Sequence, residues 1–277
     1  MRNAILVLSI IILSALSAAR PAVAGPEDGP LHDLLALATS LTAYDQRDTM
    51  LLNGAQRFAE TSSFLAIAHA AAYDATKNRI LTLGVERARS VNDVIALARS
   101  CPAYDVRDRN LLSGTRLAQQ PADFLALSGA AAYDATKNTL MQQGAGFAQR
   151  AADLVALART SPAYDVRDRI LLGGASRVHG LDEYFALFGA AAYDATKVSI
   201  LKIAVREATN VSDVARVATA SPAYDARDQM LLGGVRLCTS AADAQFLASK
   251  AAYDATKNAI LRQYAQMSGF GALYGAN

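Results

Sequence analysis

The sequence has no tryptophan, only two cysteines and only three histidines among its 277 residues. His32, His69 and His179 are far apart, and no His-x-x-x-His or His-Glu-x-x-His pattern occurs, so nothing supports a zinc site. The chain also lacks a Gly-x-Ser-x-Gly motif, a phosphate-binding loop, a dinucleotide fingerprint and a Cys-x-x-Cys motif. A glycosidase needs two carboxylates that face each other across a substrate, and no single pair stands out. These absences predict a protein without catalytic residues, metal or cofactor.

The chain also lacks an excess of charge of either sign. It has 27 basic and 25 acidic residues, and two of the arginines fall in the first 24 residues, which hold no acid. The remainder is therefore formally neutral. A nucleic-acid partner needs many uncompensated lysines or arginines, and an anionic membrane surface needs the same. Neutrality argues against both partners.

The start of the chain is typical of a secretory signal peptide. Arg2 provides a positive charge, an apolar run follows from Ala4 to Leu16, and Ala22-Val23-Ala24 forms a cleavage site. The apolar run is too short to span a bilayer comfortably, although an uncleaved anchor is the alternative. We therefore predict cleavage after Ala24 and an exported protein, periplasmic or extracellular, that has no membrane insertion after cleavage.

Export permits disulfide bonds, but the two cysteines do not suggest one. Cys101 and Cys238 lie far apart in the sequence, at non-equivalent places of the repeat that organises the chain. A disulfide requires Cα atoms within about 7 Å. We predict two free thiols.

A repeated Tyr-Asp dipeptide organises the whole chain. Successive copies are separated alternately by 29 and 31 residues, so the unit is 60 residues long and contains two half-repeats. Odd halves read Ala-Tyr-Asp-x-Arg-Asp-x-x-Leu-Leu-x-Gly, and even halves read Ala-Ala-Tyr-Asp-Ala-Thr-Lys. Four units follow one another without an insertion or a deletion.

Each half-repeat predicts two short helices. In the stretch VNDVIALARSCPAYDVRDRNLLSG, Asp93 is a good N-cap, and the apolar residues from Val94 follow helical spacing. Pro102 ends this helix, and Asp105 caps the next one, with Asp108 three residues further on as in a capping box. Abundant alanine and the lack of period-two alternation disfavour strands.

Tyr-Asp is thus predicted to start helices: the tyrosine anchors the corner and faces the interior, and the aspartate binds free amides. An N-cap of this kind contributes about 0.5–2 kcal/mol. A ligand site built on Tyr-Asp is the alternative. The predicted caps are Asp45, Asp74, Asp105, Asp134, Asp165, Asp194, Asp225 and Asp254.

A glycine recurs nine residues after each odd-half cap, at Gly54, Gly114, Gly174 and Gly234. Glycine inside a helix costs about 1 kcal/mol relative to alanine. Its recurrence predicts that a neighbouring helix backbone comes close there, and an early helix end is the alternative.

These patterns predict an all-α fold: a right-handed α-solenoid of about eight helical hairpins in four 60-residue repeats, preceded by a signal peptide. The residues resemble the α-helical-hairpin solenoids, the broad group of tetratricopeptide and HEAT-like arrays, although the tetratricopeptide signature residues are absent. They also resemble exported bacterial repeat proteins whose helices open with an aromatic-Asp pair, a resemblance that implies no known activity. The predicted boundaries are 1–24 for the signal peptide, 25–30 for a linker, 31–268 for the repeats (31–90, 91–150, 151–210 and 211–268) and 269–277 for a tail.

Opposite charges alternate along one predicted edge of the array. They belong to the odd-half Arg-Asp pairs and the even-half lysines, and form either a ladder of salt bridges between repeats or a polar strip that meets a repetitive partner. These candidate binding residues are Arg47, Asp48, Lys77, Arg107, Asp108, Lys137, Arg167, Asp168, Lys197, Arg227, Asp228 and Lys257.

The function predicted is that of an exported, non-enzymatic scaffold for protein interaction, or a structural component of the bacterial envelope or cell surface. Binding to an envelope polysaccharide such as peptidoglycan is the alternative, and a glycan-active enzyme is the third possibility.

Both terminal hairpins keep the interior sequence pattern although their outer faces lack a neighbour. We therefore predict that residues 269–277 plug the C-terminal end and that the N-terminal end takes part in self-association.

Overall fold

The computed structural model describes residues 27–269. The predicted signal peptide and all but the first residue of the predicted tail lie outside this range. Within it the chain forms sixteen α-helices and four short 3₁₀ helices, without a strand. The prediction of an all-α fold is confirmed, and none of these helices is long and apolar enough to cross a membrane.

The sixteen helices form eight consecutive hairpins. The first helices of the hairpins are α1 (Asp28–Ser40), α3 (Thr61–Ala70), α5 (Val91–Arg99), α7 (Pro121–Ala130), α9 (Ala151–Thr160), α11 (Leu181–Ala190), α13 (Val211–Thr219) and α15 (Ala241–Lys250). The second helices are α2 (Tyr44–Ala55), α4 (Asp74–Arg87), α6 (Tyr104–Ser113), α8 (Asp134–Ala145), α10 (Tyr164–Gly174), α12 (Asp194–Ala204), α14 (Tyr224–Gly234) and α16 (Asp254–Met267). The first helix therefore begins inside the segment predicted as a linker. The 3₁₀ helices are Gly114–Leu117, Ala175–Arg177, Val205–Glu207 and Val235–Leu237.

Several first helices begin with local side-chain caps. The Ser90 hydroxyl accepts a hydrogen bond from the Asp93 amide at 3.1 Å, and Ser240 forms a full capping box with Asp243. Asp93 is therefore the third residue of its helix and not the N-cap that the sequence predicts, because Ser90 already ends the preceding loop in an extended conformation.

One hydrophobic core runs along the whole array, from Ala38 to Ile260. Helices contact those next to them in sequence or one further along, as in a stack of hairpins. Equivalent positions of successive units fill equivalent places, because Leu51, Leu111, Leu171 and Leu231 are all fully buried. The sequence repeat is thus a repeat of packing.

The recurrent odd-half glycines make room for a side chain of their own hairpin. A Cβ atom on Gly114 would lie 2.3 Å from Cγ1 of Val94, and one on Gly174 would lie 2.3 Å from Cδ1 of Leu154. The close approach is therefore real, but a side chain of the hairpin's first helix makes it, whereas the sequence predicted a neighbouring backbone. The second helix also ends close by, at Ser113 in α6 and at Gly174 in α10.

In each even hairpin a large residue on one helix faces a small residue on the other, so the combined side-chain volume between the two helices stays similar. A Cβ atom on Gly84 would lie 2.9 Å from Cγ of Phe64, and one on Gly144 would lie 2.8 Å from Cβ of Phe124. The four pairs in chain order are Phe64 with Gly84, Phe124 with Gly144, Tyr184 with Ala204, and Ala244 with Tyr264. In the last hairpin the large residue has moved from the first helix to the second.

Candidate interaction surface

Eight exposed tyrosines mark the corners at which the second helices begin. Each ring is between 47 and 61% exposed. Side chains of an α-helix tilt towards its N-terminus, so a residue at the helix start projects beyond the end of the helix. The prediction that these tyrosines face the interior is therefore wrong. We call this row the tyrosine edge: Tyr44, Tyr73, Tyr104, Tyr133, Tyr164, Tyr193, Tyr224 and Tyr253.

The aspartates that follow these tyrosines lie inside the first helical turn. In odd halves the N-cap is alanine, as at Ala43, so Asp45 is the second helical residue; in even halves the N-cap is the tyrosine itself, as at Tyr73. None of these eight helix starts has a side-chain cap hydrogen bond. The prediction that the aspartates are the N-caps of these helices is therefore wrong for all eight: Asp45, Asp74, Asp105, Asp134, Asp165, Asp194, Asp225 and Asp254. Their negative charges still lie at the positive end of the helix dipole.

A second aspartate in each odd half holds the following even corner. Asp108 is only 3% exposed. Its Oδ1 accepts a hydrogen bond from the Ala132 amide at 2.8 Å, and its Oδ2 accepts one from the Tyr133 amide at 2.9 Å. The same two bonds recur in every unit, and we call these residues the bridging aspartates: Asp48, Asp108, Asp168 and Asp228.

The bridging aspartates are structural, because their carboxylates are buried and already engaged. The prediction that Asp48, Asp108, Asp168 and Asp228 lie on a surface strip is therefore wrong. Burial opposes ionisation of Asp48, yet hydrogen bonds from the Ala72 and Tyr73 amides and from Thr76, with the charge of Arg47, lower its pKa below the ordinary value.

Two of the four odd-corner arginines pack against their own tyrosines. The guanidinium carbon of Arg107 lies 5.0 Å from the centroid of the Tyr104 ring, and that of Arg167 lies 4.9 Å from the Tyr164 centroid. Arg107 also donates a hydrogen bond to the carbonyl of Arg99 at 3.1 Å. These half-buried arginines fix the tyrosine rings against the end of the preceding helix.

The even-corner lysines pair inside their own helices. Lys77 lies 3.1 Å from Asp74, and Lys137 lies 3.2 Å from Asp134. Lys197 and Lys257 repeat this contact, at 3.3 and 2.8 Å from the aspartate three residues earlier. The predicted ladder of salt bridges between repeats is therefore wrong for these lysines. Exposed pairs of this kind contribute about 0–1 kcal/mol.

Neighbouring corners also touch one another through the tyrosines. A hydrogen bond to Asp45 and the charge of that carboxylate raise the pKa of the Tyr73 phenol. The charge of Asp225 and a hydrogen bond to it raise the pKa of Tyr253 in the same way. In the first and fourth units the even-corner tyrosine thus lies within electrostatic reach of the carboxylate at the preceding odd corner.

Other chemical candidates in the described part of the chain are few. Between residues 27 and 269 no three His, Cys, Asp or Glu side chains are grouped to hold a metal. Cys101 and Cys238 are free thiols, as predicted, and burial raises the pKa of both. His179 lies 3.3 Å from Glu207, which also accepts hydrogen bonds from Gly180 and Tyr184. This cluster ties two consecutive loops together.

The fold and the repeated corners define the class: an all-helical repeat protein. No protein-family model matches the chain, and no curated protein matches it. A solved structure described as "Computational Design of Self-Assembling Cyclic Protein Homooligomers" is similar over 88% of this chain and 90% of its own, with 13% identity and a TM-score of 0.13. A TM-score this low supports no structural or functional argument.

Proposed function

We propose that this protein is an exported, non-enzymatic, right-handed α-solenoid that acts as a scaffold for protein interaction, with the tyrosine edge as its binding surface. The observation that carries this proposal is the exposure of all eight corner tyrosines. Tyrosine offers a large apolar face and a hydroxyl group at low entropic cost, and it is enriched at protein interfaces. Since other residues fill the core, the stability of the fold does not explain why a tyrosine stands at every corner.

The spacing of the edge favours a partner with several contact points. Helices that pack side by side lie about 8–10 Å apart, so the corners form a periodic row. Their loops keep one length in all four units. A partner that contacts several corners at once gains effective affinity without any single strong contact.

The chemistry of each corner favours a partner that presents hydrogen-bond donors and cations. Every exposed tyrosine is followed by an exposed aspartate, and Arg107 and Arg167 occupy only one face of the rings beside them. Carboxylates accept hydrogen bonds, and an open tyrosine face attracts a cation. A basic or amide-rich protein surface meets both demands.

Binding of an envelope polysaccharide is the second candidate, and the same corners favour it. The hydrophobic face of a sugar ring packs against an aromatic ring, while carboxylates accept hydrogen bonds from its hydroxyl groups. A glycan-active enzyme has less support, since the exposed carboxylates are repeated alike in every unit and no pair is distinguished.

The test uses a variant in which Tyr104, Tyr133, Tyr164 and Tyr193 are all changed to serine. We expect it to fold normally, because the rings are exposed, and to lose the proteins that the unchanged chain captures from envelope extracts. Each captured protein is then purified and titrated against both chains. The matched control is Leu172→Ser, which removes an exposed apolar side chain about 12 Å along α10 from its corner.

Three results are informative. Loss of a purified protein partner in the tyrosine variant, but not in the control, supports the scaffold. Binding to isolated peptidoglycan or envelope polysaccharide that depends on the same tyrosines supports the second candidate instead. Partners that bind the variant and the unchanged chain with equal affinity would exclude the tyrosine edge as the binding surface.

A further inference from the structure

The first and last hairpins expose positions that the interior hairpins bury. Leu37 in α1 is 60% exposed, whereas Leu97, Leu157 and Val217, its counterparts at intervals of 60 residues, are 0% exposed. We propose that the N-terminal end of one chain binds the C-terminal end of a second copy, head to tail. This inference does not depend on what the tyrosine edge binds.

The N-terminal face consists of Leu34, Leu37, Met50, Gly54 and Arg57, which line a groove of about 630 Å³ between α1 and α2. In the interior units the preceding hairpin covers the equivalent positions. Cδ2 of Leu97, for example, lies 3.0 Å from the point where Gly84 of that hairpin would carry a Cβ atom. The groove is therefore shaped like an interface that the chain builds three times within itself.

The C-terminal face consists of Leu261, Tyr264 and Ala265 in α16 and of Ser268, which directly follows this helix. Leu261 is 40% exposed. Its counterparts Leu81, Met141 and Leu201 are 0% exposed, because the next unit covers them. Helix α16 thus presents outward the same face that α4, α8 and α12 bury.

Besides the apolar positions, a hydrogen-bonding position of the two end faces also corresponds to one inside the array. Arg177 donates to the carbonyl oxygens of Ala145 at 2.6 Å and of Ala148 at 3.2 Å, across the junction between two units. Its counterpart 120 residues earlier is Arg57, whose side chain is exposed and lines the groove at the N-terminal end. The positions that correspond to the two carbonyls are Ala265 and Ser268, both on the C-terminal face.

Tyr264 is the bulkiest departure from this correspondence, since glycine or alanine occupies its place in the interior units. The exchange is balanced within the last hairpin: Ala244 stands where the other even hairpins have phenylalanine or tyrosine. Tyr264 is half-buried and packs against the core. Its counterpart Ala204 already carries a Cβ atom and is nevertheless covered by the next unit, since it is only 1% exposed. A Cβ atom at this position therefore does not stop a neighbour from docking.

A second copy fits the C-terminal face better than the chain's own residues 270–277, which follow α16 in the sequence. The apolar positions of the two end faces correspond to those that meet inside the array, and Arg57 matches the arginine found at one of the three interior junctions, Arg177. Residues 270–277 contain Phe270, Leu273 and Tyr274 but follow no position of the repeat. Each copy carries one face of each kind, so the contact is heterologous and generates a ring or a filament.

The test measures the mass of the full purified chain by sedimentation as a function of concentration. The unchanged chain is compared with Leu37→Glu and Leu261→Glu, each of which places a charge on one face at an exposed site. The control is Leu172→Glu, at a position 39% exposed in the middle of the array. Circular dichroism checks that every variant folds.

We expect the unchanged chain and the control to associate as concentration rises, and each end variant alone to stay at the mass of one chain. An equimolar mixture of the two end variants should then form particles of about two chains and no larger, since only one intact pair of faces remains. That restoration distinguishes a head-to-tail contact from a symmetric one.

Three outcomes overturn the proposal. The first is an unchanged chain that keeps the mass of one chain at every concentration. The second is a mixture that does not associate although the unchanged chain does. The third is a monomeric full chain that begins to associate only when residues 270–277 are deleted, which assigns the C-terminal face to the chain's own tail.

Discussion

The odd and even corners share a Tyr-Asp sequence and an exposed ring, but they are held in different ways. At each even corner a buried carboxylate binds two successive amides, 24 and 25 residues further along the chain. At the odd corners the contact is longer and varies: the Asn138 side chain accepts from the Ala163 amide at 3.4 Å, whereas in the next unit Ser221 accepts from the Ala223 amide at 3.3 Å.

This difference separates contacts within a unit from contacts between units. A bridging aspartate such as Asp108 joins the two hairpins of one unit. An asparagine such as Asn138 joins the end of one unit to the start of the next, and at the third junction its place is taken by Val198. The structural unit is therefore the 60-residue pair of hairpins, because its internal joint is the stronger and the more regular.

The largest expected effect is that of Asp108→Ala. The change leaves the Ala132 and Tyr133 amides without their acceptor, and hydrogen bonds to a charged group are worth about 1.5–3 kcal/mol each. We expect the free energy of unfolding to fall by about 2–4 kcal/mol, measured from urea unfolding curves. Asp108→Asn keeps one acceptor oxygen and should lose less.

The matched variant for the odd corners is Asn138→Val, which copies the residue found naturally at position 198. Asn138 then no longer accepts the long hydrogen bond from the Ala163 amide or the hydrogen bond of 2.6 Å from the Ser161 hydroxyl. We expect a loss of about 1 kcal/mol. Equal losses for Asp108→Ala and Asn138→Val would remove the distinction between the two kinds of corner.

Acid should weaken the even corner of the first unit, which Asp48 holds. The pKa of Asp48 is below its ordinary value in the folded chain, so its contribution to stability is fully present above the unfolded pKa of about 3.9. It is lost as the pH falls from that value through the lower, folded pKa. Unfolding curves recorded between pH 7 and pH 3 should therefore show falling stability at the acid end.

The variant that sharpens this test is Asp48→Asn, which cannot ionise. Its stability should be lower than that of the unchanged chain at pH 7 and should fall less steeply below pH 4, as expected from proton linkage. Parallel pH profiles for the two chains would mean that Asp48 does not carry the acid sensitivity.

Much of the fold was accessible from the sequence because the repeat is regular. The spacing of Tyr-Asp and the helical periodicity around Leu51 and Leu111 were enough to predict an all-α array of hairpins. The role of Asp108 was harder to predict, because its partners are the backbone amides of Ala132 and Tyr133. These residues are remote in sequence, and a backbone amide leaves no pattern in the sequence. Its presence in odd halves alone, always 25 residues before an even-corner tyrosine, was the available signal.

The exposure of the tyrosines was missed for a related reason. An aromatic residue before a helix is often an anchor, but at these corners the interior is filled by residues such as Leu111, seven positions later. Composition does not distinguish a ring that projects past a helix end from one that turns inward. Only the direction of the Cβ atom at the helix start decides it.

The smallest expected effect is that of Asp105→Ala, the residue that sequence alone would have made the cap. Asp105 is exposed, lies in the first turn of α6, and pairs with Arg109 at 3.6 Å. Its favourable terms are the helix dipole and an exposed ion pair, which together are worth about 0.3–1 kcal/mol and are screened by salt. The variant should therefore approach the unchanged chain in stability when sodium chloride is raised, as urea midpoints at low and high salt would reveal. Asp108→Ala should keep its loss under the same conditions, because the Asp108 carboxylate is buried and salt screens buried groups much less. A salt-independent loss as large as that of Asp108→Ala would restore Asp105 as a true cap and make the two aspartates of the odd corner equivalent.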